Sequence, residues 1–182
     1  WELYDRVAAI RPIEPLMTLR FNSFWMAGWA PLLERDEVPK VHLPDSVREK
    51  IRSEIDRFVR RNAPQQDSYR LCCLYLRTKG SPDVLHDVRR SGGATENYIP
   101  AIRYLTEQGY VVLITGDRVL DRKLTEAFAY RLICGQWLDV NPKLFSLFAN
   151  TEAEIWIGQQ AGPCVLPVIN RIPMLVVDAF PF

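Results

Sequence analysis

Residues 71–117 read LCCLYLRTKGSPDVLHDVRRSGGATENYIPAIRYLTEQGYVVLITGD, and this stretch decides the fold. The apolar run at its start breaks off at Arg77 into a loop rich in glycine and positive charge. A helical pattern follows over residues 95–108, and a second apolar run covers residues 110–115. Strand, loop, helix and strand in this order predict a βαβ unit, whose two strands lie parallel in one sheet.

The carboxyl ends of these two strands are the predicted ligand site. In open parallel sheets, ligands bind in the crevice beyond the carboxyl ends of the strands. Arg77 follows the first apolar run, Gly116 and Asp117 follow the second, and the loop at residues 78–93 lies between them. We therefore expect this loop to form part of a binding site.

The rest of the chain repeats the alternation of helix and strand. Helical patterns cover residues 121–130, 143–149 and 164–170, and apolar runs cover residues 131–134, 154–157 and 174–177. Strands that are nearly all apolar and alternate with helices indicate a parallel sheet covered on both faces. The predicted fold is therefore α/β, a Rossmann-like parallel sheet with helices on both faces, over residues 45–182.

A helix is predicted to open this domain. Ser46 and Glu49 have the spacing of a capping box, in which each side chain satisfies a free backbone donor of the other residue. An apolar stripe follows at helical spacing, formed by Val47, Ile51, Ile55, Phe58 and Val59. The opposite face carries Arg48, Lys50, Arg52, Arg57, Arg60 and Arg61. A solvated face is the simpler interpretation of these basic residues, and a binding role is the alternative.

Residues 1–44 are predicted to be irregular chain with short helices, because five prolines interrupt them. Their most apolar part, FNSFWMAGWAPLL at residues 21–33, is shorter than the roughly 20 residues that a membrane-spanning helix needs. Its aromatic side chains have three open roles: packing on this domain, contact with a second domain, or contact with a membrane surface. The absence of a methionine before Trp1 leads us to expect a segment of a longer protein.

Length, charge and cysteine spacing limit the classes of protein to which this chain can belong. The chain has 182 residues, of which 48% are hydrophobic, as expected for one globular domain with a sizeable core. With 23 basic and 22 acidic side chains the net charge is +1, so no overall field marks a nucleic-acid-binding protein. The four cysteines form no C-x-x-C pair, which favours buried free thiols, and we expect neither a metal ion nor another cofactor.

Glycines and carboxylates at the strand ends are further candidates. Gly158 and Gly162 enclose Gln159 and Gln160, in a turn that would let backbone amides approach a phosphate. The turn lacks the Gly-Lys-Ser/Thr of a P-loop and the glycine spacing of a dinucleotide fingerprint. The carboxylates Asp117 and Asp139 either form turns and helix caps or accept hydrogen bonds from ribose hydroxyls or a sugar acceptor.

The most concentrated polar cluster is His86-Asp87-Val88-Arg89-Arg90. His86 and Asp87 are the candidate catalytic residues, as a general acid or base near neutral pH. Arg89 and Arg90, with Arg77, have the forked guanidinium groups that clamp a diphosphate. A solvated loop with internal ion pairs is the alternative. No Ser-His-Asp order with a nucleophile elbow occurs. Because there is also no D-x-D motif to hold a metal-bound diphosphate, metal-dependent sugar transfer is disfavoured.

Four blocks of this sequence resemble a bacterial family of predicted glycosyltransferases from surface-polysaccharide gene clusters. The blocks are LYLR at residues 74–77, HDVRR at 86–90, NYIPAIRYL at 97–105 and GYVV at 109–112. The family pattern has a strand ending in valine-arginine, an H-D-Y-R-N loop and a Y-x-x-A-I-x-Y-L helix. It also has a strand ending in R-M-G and a late S-G-[ST]-G-like turn, and the resemblance covers roughly residues 70–180.

The resemblance implies the nucleotide-sugar half of a two-domain, GT-B-like glycosyltransferase, distantly similar to fucosyltransferases. It implies that Arg77 and the basic loop hold the donor diphosphate, that the turn at residues 158–162 assists, and that transfer needs no metal. The acceptor would be a glycan or a lipid-linked acceptor. The expected location is cytoplasmic, with peripheral contact to the inner membrane as a further option.

Three departures from the family pattern keep other functions open. Val88 and Arg90 replace the tyrosine and asparagine of the loop, Ile114-Thr115-Gly116 replaces R-M-G, and Ala161 replaces the serine of the late turn. These changes admit a non-catalytic Rossmann-like interaction module as the alternative function. A phosphate or nucleotide hydrolase ranks last, because no nucleophile or metal constellation is present.

Overall fold

A computed structural model describes residues 39–62, 68–77, 95–116, 120, 123–159 and 162–177. In chain order the elements are α1 Asp45–Asn62, β1 Arg70–Leu76, a 3₁₀ turn Thr95–Tyr98, α2 Ile99–Glu107, β2 Tyr110–Gly116, α3 Lys123–Ala127, β3 Leu132–Cys134, a 3₁₀ turn Gly135–Trp137, α4 Pro142–Glu152, β4 Ile155–Gln159, a 3₁₀ turn Gly162–Cys164, α5 Val165–Ile169 and β5 Met174–Val177. All of them belong to one compact unit that begins at Lys40. The apolar stretch at residues 21–33 lies outside the described residues.

The five strands form one parallel sheet in the order β3-β2-β1-β4-β5. The predicted α/β, Rossmann-like parallel sheet is thereby confirmed. From β1 the chain adds β2 and β3 on one side, and it then returns to add β4 and β5 on the other side. This reversal between β1 and β4 is the topological switch point, the place where open parallel sheets bind ligands.

Helices cover both faces of the central strands, which explains why these strands are continuously apolar. Alternate residues of β1 point to opposite faces, and Leu71 through Leu76 are all buried. One face, with Cys73, packs in a single cluster with buried residues of α1 and α4, including Ile55 and Phe148. Helix α2 contacts β2, and its buried Ile102 lies outside that cluster, so α2 covers the other face.

Helix α1 begins two residues earlier than its sequence pattern predicts, at Asp45 and not at Val47. The backbone amides of Val47 and Arg48 both donate to the Pro44 carbonyl at 3.0 Å, so Pro44 occupies the N-cap position. Ser46 then lies inside the first turn, and the predicted capping box is wrong. The predicted apolar stripe is confirmed, with Ile51, Ile55, Phe58 and Val59 buried.

Strand β4 extends two residues beyond the predicted run at 154–157. It pairs with β1 on one side and β5 on the other, and the pairing continues through Gly158 and Gln159. These two residues therefore belong to the sheet and not to the following turn. Strand β5 has its predicted range. Helix α4 begins at Pro142, one residue before the predicted range 143–149, and Asn141 caps it by accepting a bond from the Lys143 amide at 2.9 Å.

Val41, shortly before α1, is bonded to the rest of the domain through the buried side chain of Asn170. Asn170 accepts a hydrogen bond from the Val41 amide and donates one to the Val41 carbonyl, both at 2.8 Å. It also donates to the Thr151 carbonyl at 3.1 Å. Among the helices that the structure describes, none combines the length and the apolar character required to cross a bilayer.

Candidate functional site

The switch point brings Arg77 and Gln159 together at the carboxyl ends of β1 and β4. The backbone amide of Arg77 donates to Oε1 of Gln159 at 3.0 Å, where the ladder between the two strands ends. Only 1% of Gln159 is exposed, while Arg77 is partly exposed. The edge predicted from the sequence therefore exists, and these two candidate residues meet there.

The amide of Gln159 also reaches the helix that follows β1. Its Nε2 donates to the hydroxyl of Tyr98 at 3.0 Å, and Tyr98 directly precedes α2. One side chain thus connects the end of β1, the end of β4 and the start of α2. Because both ends of the amide have partners within the protein, Gln159 shapes the crevice, and a direct ligand contact would compete with these bonds.

Tyr98 also belongs to this site, although the sequence motifs do not predict a role for it there. It is 8% exposed, and its ring packs inside while its hydroxyl meets Gln159. A buried tyrosine usually finds a partner for its hydroxyl. The sequence does place Tyr98 at the start of the helix of a βαβ unit, and the start of that helix lies near the end of the first strand, at Arg77.

Gly116 is required by the close approach of β1 and β2. It pairs with Leu76 in register, has φ +101°, and a Cβ at this position would lie 1.9 Å from the Leu76 carbonyl oxygen. Residues with a side chain rarely adopt this φ, and no side chain fits in this space. The glycine is therefore explained by the backbone, without any ligand.

Gly158 is explained by packing in the same way. A Cβ there would lie 2.7 Å from Cβ of Tyr75 and 2.8 Å from Cη2 of Trp156. The rings of Tyr75 and Trp156 stack with their centroids 6.2 Å apart. The prediction that Gly158 flanks a strand-to-helix turn therefore gives way to a place inside β4, where glycine makes room for these rings.

Gly162 differs from the other two candidate glycines. It opens the 3₁₀ turn before α5, is exposed, and a Cβ there would meet no atom within 4 Å. Packing therefore does not require this glycine. The predicted approach of backbone amides to a phosphate stays a prediction at Gly162.

Asp139 follows β3, the strand at one edge of the sheet. It is exposed and comes after the turn Gly135–Trp137. Its predicted role as an acceptor of hydrogen bonds stays a prediction.

The other candidate residues lie outside the described residues, and their predicted roles stay predictions. They are His86, Asp87, Arg89, Arg90, Asp117 and Gln160. Within the part of the chain that the structure describes, no three His, Cys, Asp or Glu side chains come together as metal ligands.

A buried polar cluster surrounds Asn150, beside the ring of Trp156 in β4. Oδ1 of Asn150 accepts a hydrogen bond from the indole Nε1 of Trp156 at 2.7 Å, and its Nδ2 donates to the Ser146 carbonyl at 2.7 Å. The thiol of Cys73 lies 3.9 Å from Oδ1 of Asn150 and 3.5 Å from the hydroxyl of Thr115. This cluster holds the Trp156 ring in the position that Gly158 accommodates.

The four cysteines are buried and free, as predicted. Burial raises the pKa of Cys73 to about 12 and that of Cys134 to about 12, and it raises the pKa of Cys72 well above its usual value. A thiol with such a pKa stays protonated at neutral pH and is a poor nucleophile. Cys72, Cys73 and Cys134 therefore act as small apolar core residues.

No protein-family model, curated protein or solved structure matches this chain. The assignment of the chain to the α/β class therefore rests on its own strand order and register. The candidate site that this fold carries is the crevice between the carboxyl ends of β1 and β4.

Proposed function

We propose that this chain is the donor-binding domain of a glycosyltransferase that takes its sugar from a nucleotide-diphosphate sugar. The observation that carries the proposal is the meeting of Arg77 and Gln159 at the switch point between β1 and β4. A parallel sheet with this reversal of strand order commonly binds nucleotides in that crevice. Arg77 supplies a guanidinium there, and this group pairs with phosphate through two parallel hydrogen bonds.

The resemblance noted in the sequence supports sugar transfer as the reaction. Two of the family-like blocks, at residues 74–77 and 97–105, correspond to the end of β1 and to the start of α2. These are the elements that Gln159 joins beside the crevice. In the proposed reaction His86 or Asp87 acts as the acid or base, and Arg89 and Arg90 add positive charge around the diphosphate.

The same resemblance supplies the acceptor and the setting of the proposal. The acceptor is a glycan or lipid-linked glycan of a bacterial surface polysaccharide, and the reaction takes place in the cytoplasm or at the inner membrane. The absence of a D-x-D motif from the sequence supports transfer without a metal ion.

Nucleotide binding is the direct test of this proposal. The full chain is screened for thermal stabilisation by nucleoside diphosphates and nucleotide sugars, with EDTA and with magnesium. A ligand at 100 times its dissociation constant should stabilise the fold by about 2.7 kcal/mol, and this effect should survive EDTA. If no nucleotide stabilises the chain, the donor-binding role is rejected.

Arg77→Ala tests the residue assignment. Removing a charge-assisted contact costs roughly 1.5–3 kcal/mol, so nucleotide affinity should fall roughly tenfold to a hundredfold. Lys50→Ala is the matched control, because Lys50 is an exposed basic residue on α1. Equal affinities of a folded Arg77→Ala variant and the wild type would remove Arg77 from the site.

A non-catalytic interaction module is the second candidate function. It is favoured by the finding that Gly116 and Gly158 are required by packing and that the Gln159 amide is engaged within the protein. None of these three residues needs a ligand to explain it. This function predicts no nucleotide binding together with self-association or capture of another chain, and light scattering of the purified chain distinguishes the two candidates.

A further inference from the structure

The outer side of helix α1 carries a pocket that the proposed function does not use. This pocket has a volume of about 510 Å³ and is lined by Ser53, Asp56, Arg57, Arg60 and Arg61. We refer to it as the arginine pocket. Its volume is within the range of small-molecule sites, roughly 300–1,000 Å³.

Two of the three arginines have no ion-pair partner among the described residues. Arg57 is paired with Glu54 at 2.5 Å. Arg60 and Arg61 form no ion pair with any residue that the structure describes, whereas Arg48 and Arg70 both do. The pocket therefore presents two guanidinium groups that pair with no described carboxylate.

The carboxylate within the pocket is already engaged. Asp56 accepts a hydrogen bond from the hydroxyl of Tyr69. Burial, together with this bond, raises the pKa of the Tyr69 hydroxyl, which therefore stays protonated as the donor. Asp56 keeps its own negative charge and forms an ion pair with neither Arg60 nor Arg61, and with three arginines against one carboxylate the lining of the pocket is net positive.

The spacing of the arginines works against the stability of the helix. Arg60 and Arg61 lie three and four residues after Arg57, and like charges at these spacings repel one another. The helix dipole favours basic residues in a last turn. The lining residues recur at i, i+3, i+4, i+7 and i+8, so the helix presents three guanidinium groups and a serine hydroxyl on one face.

We propose that the arginine pocket binds a phosphate-bearing anion. A phosphoryl group carries close to two negative charges at neutral pH, and the net positive lining of the pocket attracts such a group. Guanidinium forks form paired, charge-assisted hydrogen bonds with phosphate oxygens, and the Ser53 hydroxyl is a further donor. The phosphate belongs to a small organic phosphate or to a lipid headgroup, which share this chemistry.

The arginine pocket is separate from the proposed donor site. Tyr69 directly precedes β1, so its bond to Asp56 places the pocket at the amino ends of the strands. The crevice at Arg77 lies at the opposite, carboxyl ends. The proposal therefore stands or falls independently of nucleotide binding.

The test uses inorganic phosphate as the probe and backbone amide shifts of the full chain, in nuclear magnetic resonance spectra, as the readout. Saturable shifts are expected at residues 53–61, with an affinity that falls as the salt concentration rises. The combined Arg60→Gln and Arg61→Gln substitutions should weaken this affinity about tenfold or more. Both positions are exposed and glutamine is a good helix former, so the variant should fold.

Lys50→Gln is the control that removes a basic side chain of α1 outside the arginine pocket, and it should leave the affinity for phosphate unchanged. A second arm measures sedimentation with vesicles of phosphatidylcholine, with and without phosphatidic acid. Binding of free phosphate that the double substitution weakens supports a soluble ligand. Binding only to phosphatidic acid vesicles, weakened in the same way, supports a headgroup. No binding in either arm, or binding that the double substitution leaves unchanged, overturns the proposal.

Discussion

The buried hydrogen bond between Asn150 and Trp156 supports a quantitative prediction about stability. Asn150 is 1% exposed and Trp156 is fully buried, and 2.7 Å separates Oδ1 of Asn150 from the indole nitrogen. Asn150→Leu keeps the number of side-chain heavy atoms, so it creates little cavity. It removes the acceptor and leaves the indole N–H buried without a partner.

The expected cost follows from that unsatisfied donor. A buried polar group that loses its partner costs about 1–3 kcal/mol, and the lost bond from Nδ2 to the Ser146 carbonyl adds up to about 1 kcal/mol. We therefore expect Asn150→Leu to lower the free energy of unfolding by about 2–3 kcal/mol. Urea denaturation followed by far-ultraviolet circular dichroism measures this change without relying on tryptophan fluorescence.

A double-mutant cycle isolates the contribution of the hydrogen bond. Trp156→Phe removes the indole N–H, so Asn150→Leu in that background no longer leaves a buried donor unsatisfied. Its cost should fall to at most about 1 kcal/mol, because the replacement of both partners by apolar groups is close to neutral. Equal costs of Asn150→Leu in the two backgrounds would refute this reasoning.

Three further predictions concern glycine positions, backbone strain and pH. Gly116→Ala should destabilise the domain by more than about 3 kcal/mol, because the new Cβ would clash with the Leu76 carbonyl. Gly109→Ala should cost only about 1–2 kcal/mol, because Gly109 also has a positive φ, of 84°, but has open space around it. Similar urea midpoints for the two variants would contradict the steric argument. Ala129→Gly should raise the stability by about 1 kcal/mol, because Ala129 has a positive φ of 48°. The control Ala101→Gly, inside α2, should lower the stability by about 0.5–1 kcal/mol. A loss of thermal stability in both variants would exclude strain at Ala129. Burial raises the pKa of Cys73 from 9.0 to about 12. The thiol therefore ionises at a lower pH in the unfolded chain than in the folded one, and the stability should fall as the pH rises from 9 towards 12. For this thiol the fall is at most about 1.36 kcal/mol per pH unit. Urea titrations across this pH range should show a shallower decline in Cys73→Ala, and an identical decline would mean that other groups cause it.

The sequence alone predicts the elements whose signals are local. The runs at residues 71–76, 110–115 and 174–177 are apolar, bounded by breakers, and long enough for a strand, and they match β1, β2 and β5 closely. The apolar stripe of α1 recurs at helical spacing and is buried as expected. Arg77 was selected for the same reason, because a residue that directly follows a strand in a parallel sheet must lie at its carboxyl edge.

The end of β4 and the start of α1 depend on contacts that local patterns do not encode. Pairing on both sides, with β1 and β5, carries β4 through Gly158 and Gln159. At α1 the carbonyl of Pro44 accepts from two amides and displaces Ser46 from the predicted cap. In both cases a backbone hydrogen bond, which any residue type can make, determines where the element begins or ends.

Tertiary structure decided what the candidate residues do. The sequence pattern predicts Gln159 as a ligand contact, but its amide meets Tyr98, which lies 61 positions away in the sequence, and the backbone of Arg77. The pattern predicts that Gly158 contacts phosphate, but the space beside it is filled by the ring of Trp156 and by Tyr75. Side-chain type and spacing are local properties of the chain, so they placed these residues at the carboxyl edge. Which groups satisfy a buried amide or fill the space beside a glycine depends on atoms that only folding brings within a few ångströms.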